Sequence, residues 1–366
     1  MSDTPLMRVP TPGEDERSHP PAPDRRLGGT KPRQLSSASD AVVMGSTSAV
    51  RQLVPVDRLD SWITDIADVY VIAHMGIPQI DRERWRLTVE GLVEHVLTLD
   101  YNELISLPSC EATAVIECFG NPVEPDVPTR RVGNVAWRGV PLSDVLAVAK
   151  VQPGADAVWL EGLDSGTFAG VPNDRYLKDL PLDRVLEGDV LLAWQMNGAP
   201  LTLEHGFPVR AFVPGYFGTN AVKWLSRIQV ASGRPKGLFT TQLYNRQVVV
   251  DGAIEHRPVR ELDVNSIIVR PKNSSILAPG RHMISGWAWS AWNIARVDVS
   301  TDAGVTWTEA QTEPSEHAHA WQRFMLDWLV EESGEYQLAC RALDTRGRTQ
   351  PFQGRNRVHI VNVTVT

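Results

Sequence analysis

Apolar and polar positions alternate with a period of two through Trp85, Leu87 and Val89, which predicts a half-buried strand. Asp100, followed three residues later by Glu103, reads as a capping box that opens a short helix. Pro141 stands at a first-turn position ahead of Leu142, Val145, Leu146 and Ala149, whose spacing marks one helical face. The apolar run from Val190 to Met196 enters Asn197-Gly198, a strong hairpin signal. From about Val54 to Ala231 such strands and helices mix without a regular βαβ rhythm and without a G-x-G-x-x-G turn. The pattern predicts an α+β domain and disfavours a dinucleotide-binding fold.

From about Val264 the pattern becomes almost entirely β. Arg296 to Ser300 alternates, Tyr336 to Cys340 alternates, and Val361, Val363 and Val365 share one face. Turn signals at Asp302-Ala303-Gly304, Ser333-Gly334 and Arg346-Gly347 separate these runs at the spacing of an immunoglobulin-like sandwich. Six tryptophans fall in it (Trp287, Trp289, Trp292, Trp307, Trp321, Trp328), which makes a partner surface an expectation alongside core filling. At the other end, Met1 to about Ser48 is rich in Pro, Ser, Asp and Arg and poor in aromatics, too polar to offset the entropy of ordering. The expected organisation is a disordered arm (1–50), an α+β domain (51–235), a connecting segment (236–262) and a sandwich (263–366).

Composition narrows the function classes. A net charge of -8 argues against nucleic acid or an anionic membrane as the main partner. Cys110, Cys118 and Cys340 form no C-x-x-C pair, so disulfides are not expected to hold the fold and a reducing compartment fits. No apolar run approaches the roughly 18 residues of a membrane span. Arg25-Arg26 superficially matches a twin-arginine export signal, but polar Gly28-Gly29-Thr30-Lys31-Pro32 follows where an apolar segment should stand. A cytoplasmic protein is the expectation.

The chemistry starts at Cys118. In Ala114-Val115-Ile116-Glu117-Cys118-Phe119-Gly120-Asn121 a β-branched strand places Ala114, Ile116 and Cys118 on one face and ends in turn formers, which presents one sulfur to a pocket. Taken alone, Cys118 also reads as a small buried hydrophobe. Arg210 sits among apolar neighbours from Pro208 to Val213, where a buried charge needs a partner, and Lys223 is expected in a similar strand. Singly, His74 and His205 read as ordinary histidines, Asp164 as a turn former before Ser165-Gly166, and Tyr244 as a half-buried tyrosine.

Together these segments resemble the sulfite oxidase family of molybdenum enzymes, from about Val54 to the end of the chain. The resemblance runs in order through Val115 to Asn121, Trp137-Arg138-Gly139-Val140-Pro141-Leu142, Glu161-Gly162-Leu163-Asp164-Ser165, Met196-Asn197-Gly198, His205-Gly206-Phe207-Pro208-Val209-Arg210 and Val222-Lys223-Trp224-Leu225. It continues through Gly286-Trp287-Ala288-Trp289 and Val297 to Trp307. It implies a molybdopterin-binding domain followed by a dimerisation domain. It also implies that Cys118 is the thiolate holding molybdenum beside the dithiolene sulfurs of a pyranopterin, and that Tyr244 lines the catalytic centre. Tyr70, Val71, His74, Asp164, His205, Arg210, Ala221, Val222 and Lys223 fall at positions implied to bind the cofactor. Soft thiolate suits a sulfur-ligated metal, and a phosphate suits fork-shaped and point cations.

The chain departs from the family where sulfite-oxidising members carry two substrate arginines, for those positions read Ile72 and Val123. That departure predicts a more apolar pocket and a less charged substrate. Arg130 and Arg131 could restore charge, although arginines in a Pro-rich loop are more often solvated. No His-Pro-Gly-Gly haem cassette is present, so no haem is expected and electrons should leave to a separate acceptor. The leading expectation is a homodimeric molybdenum oxidoreductase performing oxygen-atom transfer on sulfite or a less charged sulfur or nitrogen compound, with reduction of nitrate or an S-oxide as the reverse. A degenerate scaffold that keeps the fold without turnover, and an adhesion module built on the sandwich, are the competing classes.

Overall fold

Two five-stranded sheets and a β-sandwich organise the chain in a computed structural model that describes residues 42–122, 125 and 127–366. Val123 lies outside the described residues, as do residues 1–41 of the N-terminal arm. Chain order begins earlier than the composition suggests. Val43–Ser46 pairs with Pro78–Ile80 and Val50–Gln52 pairs with Val71–Ala73. Residues 43–46 and 50, expected within the disordered arm, are thus paired as strands, because backbone pairing needs no apolar side chains in the added strands.

The first sheet joins Ala199–Pro200, Leu191–Met196, Val132–Pro141 and Cys110–Glu117 in that order, with Arg210–Phe212 also on Leu191–Met196. Asn197 (φ 49°) and Gly198 (φ 75°) make the hairpin turn that their residue types require. The second sheet orders Leu177–Pro181, Ala157–Gly162, Leu225–Ala231, Arg86–Gly91 and Leu97–Asp100. Short helices cover it, including Tyr101–Ser106, with the reciprocal Asp100–Glu103 capping box, and Leu142–Ala149 behind Pro141. Helices and strands mix with mostly antiparallel pairing, so the α+β reading describes this part. Among the described residues no helix is long and apolar enough to cross a membrane.

Residues beyond Val264 form two packed sheets. One orders Asn265–Arg270, Gly280–Trp289, Gln322–Val330 and Gln311–Thr312; the other orders Ser275–Leu277, His359–Val365, Gly334–Asp344, Ile294–Ser300 and Thr308–Glu309. Cys340 is buried between them and all three cysteines are free.

The tryptophans correct the expected partner surface. Trp287, Trp289, Trp321 and Trp328 are buried, and Trp292 and Trp307 are half-buried. Trp287 and Trp321 stack at 4.8 Å and belong to the core that also contains Val115, Trp137 and Phe217 of the first domain. Their indole N–H groups cross to that domain: Trp287 donates to the Leu59 carbonyl at 2.5 Å and Trp321 to the Trp62 carbonyl at 2.8 Å. These rings weld sandwich to α+β domain, a large apolar face with one satisfied polar edge. Val115 N–H also donates to the His319 carbonyl at 2.8 Å, so the strand leading to Cys118 is pinned from the sandwich.

Candidate active site

Cys118 immediately follows Cys110–Glu117, whose partner strand sets Val132 opposite Glu117. The Cys118 N–H donates to the Arg131 carbonyl, and its own carbonyl accepts from Asn121 N–H, both at 2.9 Å. Asn121 closes this turn through its side chain: Oδ1 accepts from Arg131 N–H at 2.7 Å while Nδ2 donates to Glu117 at 3.1 Å. Cys118 is half-buried at the wall of a cavity. The chemistry of its lining, more than its size, points to a ligand.

Behind the sulfur, Glu117 joins the two domains. Its carboxylate accepts from Trp289 Nε1 at 2.8 Å and Asn265 Nδ2 at 3.2 Å as well as from Asn121. Burial pushes this carboxyl up to about 7, against the pull of those donors and of Arg355. A raised folded pKa means stability that is complete below the unfolded value of 4.5 and is lost as pH rises through about 7. The Glu117→Gln protein should therefore gain on the parent between pH 4.5 and 7, by up to about 1.4 kcal/mol per pH unit. Thermal unfolding of both proteins across that range checks it; a gap independent of pH would show that the donors outweigh burial.

The same cavity is lined by Tyr70, His74, Asp164, His205, Arg210, Ala221, Lys223 and Tyr244. Val71 and Val222 are the exceptions. Neither is among the residues lining the cavity, and Val222 packs in the second core. Lys223 also departs from expectation, since it precedes the strand Leu225–Ala231 rather than lying within one.

Buried Arg210 and half-buried Lys223 face this cavity, neither in an ion pair with a carboxylate among the described residues. Arg210 donates to the carbonyls of His205 at 3.0 Å and Ala221 at 3.1 Å and lies over the Trp137 ring. Lys223 donates to the carbonyls of Glu204 at 2.9 Å and Ile72 at 3.0 Å. Burial lowers Arg210 to about 10; burial and then Arg210 push Lys223 down. Gly206, at φ +107°, brings them together, for an added Cβ would stand 3.1 Å from both Arg210 Cβ and Lys223 Cβ.

Asp164 is buried, its carboxyl is pushed up by burial, and its Oδ1 has no hydrogen-bond partner. His205 bonds Thr202 through Nδ1 at 2.8 Å, while its buried Nε2 lacks a hydrogen bond of good geometry. Burial lowers both His205 and His74 to about 4, so both are neutral at pH 7. Tyr244 takes φ +57°, a conformation uncommon for an aromatic residue, and its hydroxyl hydrogen-bonds His74 Nε2 at 2.7 Å. Burial holds the Tyr244 phenol well above its ordinary value, so it keeps its proton.

Sequence reasoning missed several lining residues. Glu204 is adjacent to His205 and accepts Lys223 through its carbonyl, a role that needs no particular side chain. Tyr176 donates to the Thr219 carbonyl at 2.8 Å across the cavity wall, and neither residue stands in a motif. Gly218 is a spacing residue: a Cβ there would meet the Tyr70 hydroxyl at 2.6 Å.

An acceptor-rich edge, two neutral imidazoles, two cations without carboxylate partners and a thiol on one wall fit an anionic, sulfur-ligated metal cofactor. Comparisons with known proteins agree. Residues 74–239 match the family model of the oxidoreductase molybdopterin binding domain, and residues 256–364 match that of the Mo-co oxidoreductase dimerisation domain. Mitochondrial sulfite oxidase of Mus musculus is 34% identical over 322 residues, covering 80% of this chain and 58% of that protein. The chain thus spans little more than half the length of that relative. Sulfite oxidase of Arabidopsis thaliana is 30% identical over 328 residues, covering 80% of this chain and 83% of that protein. The crystal structure of the sulfane dehydrogenase SoxCD from Paracoccus pantotrophus superposes with a TM-score of 0.74 at 26% identity, covering 98% of this chain and all of that one.

Proposed function

Because this chain belongs to the sulfite oxidase family of molybdopterin-dependent oxidoreductases, we propose that its cavity binds a molybdenum–molybdopterin cofactor and oxidises a small sulfur compound by two-electron oxygen-atom transfer. When bound, the cofactor supplies the redox couple and the transferable oxygen. The residues supply everything else. Cys118 would hold the metal as a thiolate, and coordination favours its deprotonated form. Arg210 and Lys223 would take the cofactor phosphate as a fork and a point charge. Asp164, His74 and His205 would read the pterin, with a carboxyl oxygen that lacks a partner and imidazoles that can donate or accept. Tyr244, braced by His74, would offer a protonated phenol where substrate arrives, with Phe119 lining the cavity beside it and Phe168 and Phe239 packed on the His74 ring.

The observation that carries the reading is the convergence on one cavity of a cysteine and two cations, neither in an ion pair with a carboxylate among the described residues. The oxidative direction is supported by the two relatives named sulfite oxidase and the structure named sulfane dehydrogenase. Assembly as a homodimer through the sandwich is proposed from the dimerisation-domain match. With these residues retained together, a scaffold without turnover is disfavoured.

The test is metal content joined to turnover. Protein purified from a molybdenum-competent host should carry about one molybdenum per chain and reduce an artificial dye with sulfite or a related sulfur compound. Protein lacking molybdenum would refute the reading. Turnover driven only from the reduced-dye side, with nitrate or an S-oxide, would reverse its direction.

A further inference from the structure

Ile72 and the cavity beside it look apolar in sequence, yet the strand pairings put charge back. Arg51 lies directly opposite Ile72 in the antiparallel pair Val50–Gln52 with Val71–Ala73. Residues directly opposite each other project from the same face, their Cβ atoms about 5 Å apart. Ile72 lines the cavity, so Arg51 shares a face with a lining residue at the cavity's edge without itself being among the lining residues. Arg131 repeats the arrangement. The pairing of Val132 with Glu117, continued one step by the hydrogen bond from Cys118 N–H to the Arg131 carbonyl, sets Arg131 opposite Cys118.

Arg130 and Arg131 thereby separate. Arg130 is buried and donates to the carbonyls of Pro125, Val127 and Thr129, while Arg131 is half-buried and its side chain takes no part in that network. Neither Arg51 nor Arg131 forms an ion pair through its guanidinium among the described residues. The two charges feel each other: burial and then Arg131 lower Arg51, while the Cys118 sulfur pulls it the other way. The Arg131 charge also reaches Tyr70, His74 and Tyr244.

We propose that Arg51 and Arg131 form a cationic rim over the Cys118 wall that selects a small anionic substrate, delivered from cross-strand positions in place of the charge absent at Ile72. This proposal runs opposite to the expectation of a less charged substrate. Two guanidiniums approaching from different strands suit an anion with several acceptor oxygens or sulfurs, each gripped at one edge. The inference rests on the proposed function only in naming what the anion meets at the bottom of the cavity.

Inorganic sulfate serves as the probe. Its binding is measured by titration calorimetry on the cofactor-loaded protein, with Arg210 and Lys223 already occupied, and on R51Q, R131Q and the double variant, with molybdenum content read on every sample. Arg51 is exposed and the Arg131 side chain has no hydrogen bond or ion pair among the described residues, so the variants should fold. Each single substitution should weaken sulfate about tenfold and the pair about a hundredfold, with molybdenum per chain unchanged. Equal affinity in all four proteins, or no sulfate binding by the parent, would overturn the rim. Arginine-dependent binding to protein without molybdenum would uphold the rim and refute the cofactor reading instead.

Discussion

The Cys118→Ser protein is expected to fold as the parent does and to turn over no substrate. Cys118 is half-buried at the edge of the first core, and the turn around it is held by backbone groups, Asn121 and Glu117 rather than by the sulfur. Exchanging sulfur for oxygen there should change stability by about 1 kcal/mol or less. The chemistry changes far more, because a serine hydroxyl near neutral pH offers no soft anionic donor to the metal. Thermal unfolding and steady-state turnover on matched samples check both halves. Full activity in the variant would remove Cys118 from the mechanism.

The second large effect belongs to Arg210. If its guanidinium grips the cofactor phosphate with two charge-assisted bonds at about 1.5–3 kcal/mol each, Arg210→Gln removes about 3–6 kcal/mol of cofactor affinity. Molybdenum retained after gel filtration should fall by about a hundredfold or more. The secondary structure seen by circular dichroism should persist, because the Val209 and Ala211 backbone pairings that hold this strand do not involve the guanidinium. Molybdenum content equal to the parent's would place the phosphate elsewhere. A variant that retained metal but lost turnover would recast Arg210 as a substrate residue.

Much of this was legible in the sequence where a local rule decides the outcome. The Asn197-Gly198 turn and the Asp100–Glu103 box depend only on residues a few positions apart, and both form as their chemistry requires. The ordered run of motifs likewise gathered Cys118, His74, Asp164, His205, Arg210, Lys223 and Tyr244, which do line one cavity. What failed depends on tertiary pairing. A tryptophan count cannot tell an exposed face from an interior weld, and Trp287, Trp289 and Trp321 went to the weld. Arg130 and Arg131 read together as able to restore charge though more often solvated, but they diverge: Arg130 is buried and held by carbonyls, while Arg131 is half-buried. Arg51 carried no signal at all, because its meaning comes from the register that sets it against Ile72. Val71 and Val222 stand inside the matching segments but are not among the residues lining the cavity.

The arrangement also explains why the sandwich matters to a site built in the other domain. Glu117, one residue before the sulfur, is held by Trp289 and Asn265 from beyond the domain boundary, and Arg355 donates to the Phe119 carbonyl at 3.0 Å just after it. Cys118 is thus clamped on both sides by the sandwich. Such support fixes a reactive group more tightly than a loop alone would.

X-ray absorption at the molybdenum edge, on the purified parent and on Cys118→Ser, addresses the central claim most directly. The account predicts a metal with sulfur neighbours in the parent and one fewer sulfur in whatever metal the variant retains. A parent spectrum showing no molybdenum, or a sulfur shell identical in the two proteins, would contradict it.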